Sequence, residues 1–151
     1  MDHETSVIFW RSGSKVYRFD HQVKTLQRIV DLKTNANILD YGCAKSSTLK
    51  KLYDERKDIT PHVFDVSDQY RKYWNLFVDQ KNQACYNIPL EWEKKFDLVT
   101  SFFSLEHASK PNDFLTKVYS ILNEDGVFYC IVPDWQKNIA DAIVVLSLIH
   151  I

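Results

Sequence analysis

The sequence predicts an α/β protein on a doubly wound, mainly parallel sheet. Three observations predict it. Short apolar runs at residues 37–41, 62–65, 84–86, 96–103 and 127–132 alternate with stretches whose apolar residues recur at helical spacing. Those runs are apolar nearly throughout rather than at every second residue, so both faces of the sheet are covered. The chain has 151 residues, 45% hydrophobic and 26% charged, which suffices for one core without disulfide staples.

The elements follow in order. Residues 1–20 form an N-terminal arm with no regular pattern, carrying Phe9, Trp10, Tyr17 and Phe19. The spacing of Val23, Leu26, Ile29 and Val30 predicts a helix over 21–32, ended by Lys33-Thr34-Asn35. A buried strand at 37–41 runs into a polar turn at 42–47, and a helix follows with Leu49, Leu52 and Tyr53 on one face. After the strand at 62–65, Ser67 or Asp68 caps a helix with Tyr70, Tyr73, Trp74 and Phe77 inward. A weak strand at 84–86 and a clear one at 96–103 come next. Asn112 or Asp113 caps a helix with Phe114, Leu115, Val118, Ile121 and Leu122 inward. Asp125-Gly126 makes a turn into the last strand, which Pro133 breaks.

Charge excludes some functions. Nineteen Lys+Arg face 20 Asp+Glu, a net charge of -1, which gives no support to a nucleic-acid or polybasic membrane partner. Cys43, Cys85 and Cys130 are far apart with no Cys-x-x-Cys, so reduced thiols and a cytoplasmic setting are expected. The acidic start Met1-Asp2-His3-Glu4 does not read like a signal peptide, so none is expected, and the longest apolar stretch, 139–151, is short for a bilayer span and contains Asp141. Oligomeric state is not legible.

Ligands of doubly wound sheets bind beyond the carboxyl ends of the strands, so candidate residues lie just after each strand. The first loop reads Asp40-Tyr41-Gly42-Cys43-Ala44-Lys45-Ser46 and holds one of the chain's 3 glycines. Small residues there let backbone pass close to a ligand, although any strand–turn–helix needs a small turn residue. Asp65 ends the second strand about 20 residues on, where an acid can take two ribose hydroxyls; helix capping is its competing reading. Together they describe a nucleoside site for either a dinucleotide or S-adenosylmethionine. No G-x-G-x-x-G occurs, which disfavours the dinucleotide, and Asp40 can receive an ammonium group.

The stretches Ile38-Leu39-Asp40-Tyr41-Gly42-Cys43-Ala44, Val63-Phe64-Asp65-Val66-Ser67, the run from Phe96 to His107, and Gly126 to Pro133 resemble, in order and spacing, the class I S-adenosylmethionine-dependent methyltransferases. The likeness is to the type 11, 12 and 23 domains. It implies a Rossmann-like methyltransferase fold and methyl transfer to a small-molecule acceptor. It implies that Asp40, Gly42 and Ala44 line the methionine part, with Tyr41 and Cys43 in the same loop. Asp65 holds the ribose, Val66 flanks the adenine, and Asn87 or Ile88 edges it. Ser101, Phe102 and Phe103 form the floor near the sulfonium, where an aromatic face stabilises a cation. Tyr17 can close over the cofactor, with plain packing of the arm as the other reading. His107 is the candidate general base. Some relatives carry metal on Glu-x-x-Glu-His; here Phe103 takes the first acid position, so no metal is expected.

Two departures are Ala44 and Ser46, which stand where the family often has glycine, so weaker cofactor binding is expected. Only five strands are counted, so the sheet is expected to lack its last two strands and the domain, 21–145, to be C-terminally truncated. Residues 146–151 read like a translated transposon-end adapter and are expected to be a non-native tail. Val132-Pro133-Asp134-Trp135 and the 139–145 run resemble methyltransferases of sugar and lipopolysaccharide pathways. A non-catalytic cofactor-binding domain, or a nicotinamide-dependent oxidoreductase, are the alternatives.

Overall fold

The computed structural model describes the backbone of residues 7–9, 18–134 and 139–147, and side chains from 22 to 133 apart from residue 29. The elements run β1 (Val7–Phe9), α1 (Arg18–Ile29), β2 (Asn37–Tyr41), α2 (Ser47–Glu55), β3 (Thr60–Asp65), α3 (Arg71–Trp74), β4 (Gln83–Cys85), β5 (Phe96–Phe102), α4 (Pro111–Ile121), β6 (Leu122–Asp134) and β7 (Ile139–Ser147). They form one sheet in the order β1-β7-β6-β5-β2-β3-β4.

The five strands read from sequence are β2 to β6, and all pair in parallel. Side-chain alternation then sorts the core into two layers. Ile38, Val63, Leu98 and Tyr129 face α1 and α2 through Val23, Leu26, Leu49 and Leu52. Leu39, Phe64, Val99, Phe128 and Cys130 face α4 through Val118 and Ile121. At the amino ends, Asp97 accepts bonds from the Asn37 backbone N–H at 2.8 Å and the Asn123 amide at 2.7 Å, with Lys33 paired at 2.8 Å. That carboxylate ties the starts of β2, β5 and β6 together.

The sheet does not stop at the fifth strand, as had been expected. Ile139–Ser147 pairs antiparallel with β6 from Val127 to Asp134, and Val7–Phe9 pairs antiparallel with β7. The stretch is dense in β-branched residues (Ile139, Ile143, Val144, Val145), which favour a pleated strand over a helix. Apart from Asp141 the run 139–146 is apolar, so its pattern carries no clear strand period. β7 passes from Val145 into Leu146 and Ser147 without a break. Part of the supposedly irregular arm is the strand β1.

Three boundaries also differ. α4 begins with Pro111 at its first helical position, after Lys110, rather than at an Asn112 or Asp113 cap, because the proline ring presets a helical φ. α3 is only four residues long, with Tyr70 before it; Ser67 and Asp68 lie outside the helix. The turn at Asp125-Gly126 is absorbed into β6, whose pairing with β5 shifts register between Phe96 and Leu98. A Cβ on Gly126 would sit 2.7 Å from the Phe96 carbonyl oxygen, so only glycine lets the strands approach there.

Candidate functional site

The loop between β2 and α2 is the first feature of the site. Gly42, Ala44 and Ser46 all take left-handed backbone, with φ of 70°, 45° and 55°. Glycine adopts that conformation freely, whereas alanine and serine do so under strain. The strain is held by bonds from outside the loop. Asp65 accepts the Ala44 N–H at 2.8 Å, and the Trp74 indole donates to the Ala44 carbonyl at 2.6 Å. The Ser46 hydroxyl donates to Asp40 at 2.6 Å. Gly42 and Cys43 both donate their N–H to the Phe64 carbonyl, at 2.9 and 3.1 Å.

Asp40 is buried at the end of β2, bonded also by the Thr100 hydroxyl at 3.2 Å. Burial pushes its carboxyl up to about 7, against the pull of the Ser46 and Thr100 hydroxyls, and the charge of Asp65 adds to the rise. Among the described residues neither Asp40 nor Asp65 has a basic partner. The pair is therefore an anionic site suited to a cation. Burial likewise pushes the Cys43 thiol well up, which makes it a packing group rather than a nucleophile.

A cleft of about 270 Å³ opens beside this loop, lined by Gln22, Asp40, Cys43, Ala44, Lys45, Ser46, Ser47, Tyr70, Phe102 and Phe103. It brings together five of the sequence-predicted residues. Asp65 joins them through Ala44. Val66 is exposed directly after β3, and the exposed Asn87 and half-buried Ile88 follow β4. The Asp65 carbonyl accepts the Tyr86 N–H at 3.0 Å, which draws this second strand end towards the acid.

Others are set apart. Strand alternation turns Tyr41 and Ser101 to the α4 side of the sheet, away from the Asp40 side. Tyr41 packs on Phe114 at 4.5 Å and Phe64 at 4.8 Å between ring centres. Ser101 is fully buried beside Cys130, whose thiol burial pushes up to about 12, with the charge of Glu106 adding to it. His107 is exposed on the turn Leu105–His107 and does not line the cleft. Among the described residues no three His, Cys, Asp or Glu side chains gather where a metal could sit. Tyr17 lies outside the described residues.

Sequence reasoning missed Gln22, Lys45, Ser47, Tyr70, Thr100 and Trp74. Thr100 was detectable as a polar residue inside an apolar strand. Gln22 was detectable as a polar residue on the buried side of α1, where it accepts a bond from Thr48 at 2.6 Å. The Trp74–Ala44 bond spans 30 residues and leaves no local pattern.

No curated protein matches the chain. Solved structures do. A complex of the Haloferax volcanii Trm112 methyltransferase activator with a candidate methyltransferase is 19% identical, over 85% of this chain and 65% of that one, at a TM-score of 0.61. A candidate methyltransferase of an antibiotic biosynthesis pathway from Anabaena variabilis is 17% identical, over 78% and 47%, at 0.63. Haemonchus contortus phosphoethanolamine N-methyltransferase 2, in complex with S-adenosyl-L-methionine, is 18% identical, over 75% and 28%, at 0.61. These share the fold, and the chain spans 65% or less of the length of each. The methyltransferase-domain family itself matches residues 14–142, which takes in both strand-end acids, the left-handed loop and the parallel sheet. A match over that span makes the chain a member of the methyltransferase-domain family, the S-adenosyl-L-methionine-dependent methyltransferases.

Proposed function

We propose that the chain binds S-adenosyl-L-methionine across the carboxyl ends of β2, β3 and β5 and transfers its methyl group to a small-molecule acceptor. The observation that carries this reading is the union of two strand-end carboxylates with one left-handed loop, Asp65 through Ala44 and Asp40 through Ser46. The residues fit the group. Its ammonium and sulfonium are cations, and the cleft offers a buried acid and two aromatic rings, Phe102 and Phe103. A cleft of about 270 Å³ suits the methionine half. The exposed Val66, with Asn87 and Ile88, offers a surface for the purine, and Asp65 keeps lone pairs for ribose hydroxyls.

The bound cofactor supplies an activated methyl, which passes from sulfur to an acceptor oxygen, nitrogen or carbon and leaves S-adenosylhomocysteine. The chain's own task is then alignment and exclusion of water. Asp40 orients the amino-acid end, Asp65 the nucleoside end, and Phe102 and Phe103 shield the reacting centre. His107 is the residue to test as a base for an acceptor proton, being exposed on the turn after β5. The resemblance of 132–135 and 139–145 to saccharide-pathway enzymes puts sugar-linked acceptors first in a screen. The three free thiols support a reducing, cytoplasmic setting. No described helix is long and apolar enough to cross a membrane.

Calorimetric titration with S-adenosylhomocysteine, with NAD as control, tests the reading. Saturable binding of the first alone, weakened in Asp65→Ala, supports it. Binding of NAD in its place, or of neither by a folded sample, overturns it. Binding without turnover on any acceptor moves the chain to the non-catalytic alternative.

A further inference from the structure

We propose that Trp74 is the positioning residue of the cofactor loop: its indole N–H holds the Ala44 carbonyl and keeps the loop in the left-handed form that the cofactor meets. The proposal rests on the reading given under Proposed function. Trp74 is wholly buried on α3, and its Nε1 lies 2.6 Å from the Ala44 oxygen. The Ala44 N–H is taken by Asp65 at 2.8 Å. Both backbone polar groups of one residue are thus held by side chains from other elements.

Such clamping needs a reason, and the backbone gives one. Ala44 stands at a φ of 45° and Ser46 at 55°. An L residue with a Cβ resists that region, and glycine does not. A glycine at 44 would need no tether. An alanine there drifts towards ordinary backbone unless something holds it, and each molecule in the drifted form is lost to binding until it returns. α3 is placed to do the holding. Arg71, on the same helix, donates to the Cys85 sulfur at 3.1 Å, a contact between α3 and the end of β4. Trp74 reaches the loop from the buried side of this helix.

Packing alone would also bury a tryptophan, so the test must separate the N–H from the ring. Trp74→Phe keeps an aromatic ring and removes the donor. Two measurements follow: amide exchange across residues 43–46, and calorimetric affinity for S-adenosylhomocysteine. We expect exchange to accelerate in that loop alone and affinity to fall about tenfold, the scale of one lost hydrogen bond. The decisive arm is Trp74→Phe combined with Ala44→Gly. If the indole exists to hold a left-handed alanine, glycine makes it dispensable and the double variant regains most of the affinity. A packing role predicts no rescue.

Unchanged loop exchange in Trp74→Phe, or affinity that glycine fails to restore, overturns the proposal. Should the wild-type chain bind no S-adenosylhomocysteine, the cofactor reading fails, while loop exchange still decides whether the indole holds Ala44. Should Trp74→Phe fail to fold, the double variant with Ala44→Gly decides: folding with near wild-type affinity supports the tether, and a second failure to fold sinks it.

Discussion

Asp65 accepts the backbone N–H of Ala44 at 2.8 Å, across 21 residues of sequence. One carboxylate thus ends β3 and fixes the loop after β2, and its other oxygen takes the Ser67 N–H at 3.1 Å. Asp65→Ala should cost twice. In the proposed site Asp65 holds a ribose diol by two charge-assisted bonds, so affinity for S-adenosylhomocysteine should fall about 30-fold or more. The Ala44 N–H also loses its partner, lowering stability by about 1–3 kcal/mol, readable in urea. Unaltered affinity in a folded variant would remove Asp65 from the site.

The Asp40 carboxyl, pushed up to about 7 by burial, is largely protonated in the free protein below that pH. An ammonium ligand needs the ionised form. Affinity for S-adenosylhomocysteine should therefore rise as pH climbs through about 7 and level off above it. Asp40→Asn should bind weakly with no slope over the same range. Calorimetry at half-unit pH steps makes the comparison, and equal slopes in both proteins would refute it.

Gly42 has a φ of +70°, and a Cβ there would lie 1.9 Å from the Ser104 hydroxyl oxygen and 2.7 Å from the Ser104 Cβ. Gly42→Ala should destabilise the fold by about 1–3 kcal/mol through the backbone strain, with the collision added to it. Adding Ser104→Gly should recover the collision and leave the backbone part. Denaturant midpoints of the two variants separate the contributions.

His62 is buried between Trp92 and Phe96, at 5.3 and 5.0 Å from their ring centres, with Nδ1 3.1 Å from the Thr60 carbonyl. Burial, with the charge of Lys95 adding to it, pulls its imidazole down to about 4 from 6.5. Between those values the unfolded chain binds the proton and the folded chain does not. This contribution is therefore present above 6.5 and is lost as pH falls towards 4, on the order of 3 kcal/mol. Asp40 slopes the other way. Its raised carboxyl favours the fold fully below 3.8, and that gain is lost as pH rises through about 7. Urea titrations should show the acid loss steepened in Asp40→Asn and flattened in His62→Leu.

Legibility in the sequence followed the range of the interaction. The strands β2, β3, β5 and β6 were legible because each is a compact apolar run, and α2 because Leu49 and Leu52 repeat at helical spacing. Asp40, Gly42 and Asp65 were legible from their places at strand ends. β7 was not, since a stretch apolar but for Asp141 and Ser147 carries no clear period and its strand character comes from pairing with β6. Nor could sequence foresee the effect of Ser46. It was expected only to crowd the cofactor, yet its hydroxyl turns to Asp40.

The parallel α/β core and the two strand ends where the acids stand follow from the sequence alone, because hydrophobic period and chain order are local properties. Which residues meet there depends on the folded arrangement of the strands. It put Tyr41 and Ser101 on the far side of the sheet and brought Thr100 to Asp40 and Trp74 to Ala44. The physical reason is that strand alternation and long-range hydrogen bonds depend on which strands become neighbours, and no window of sequence contains both partners.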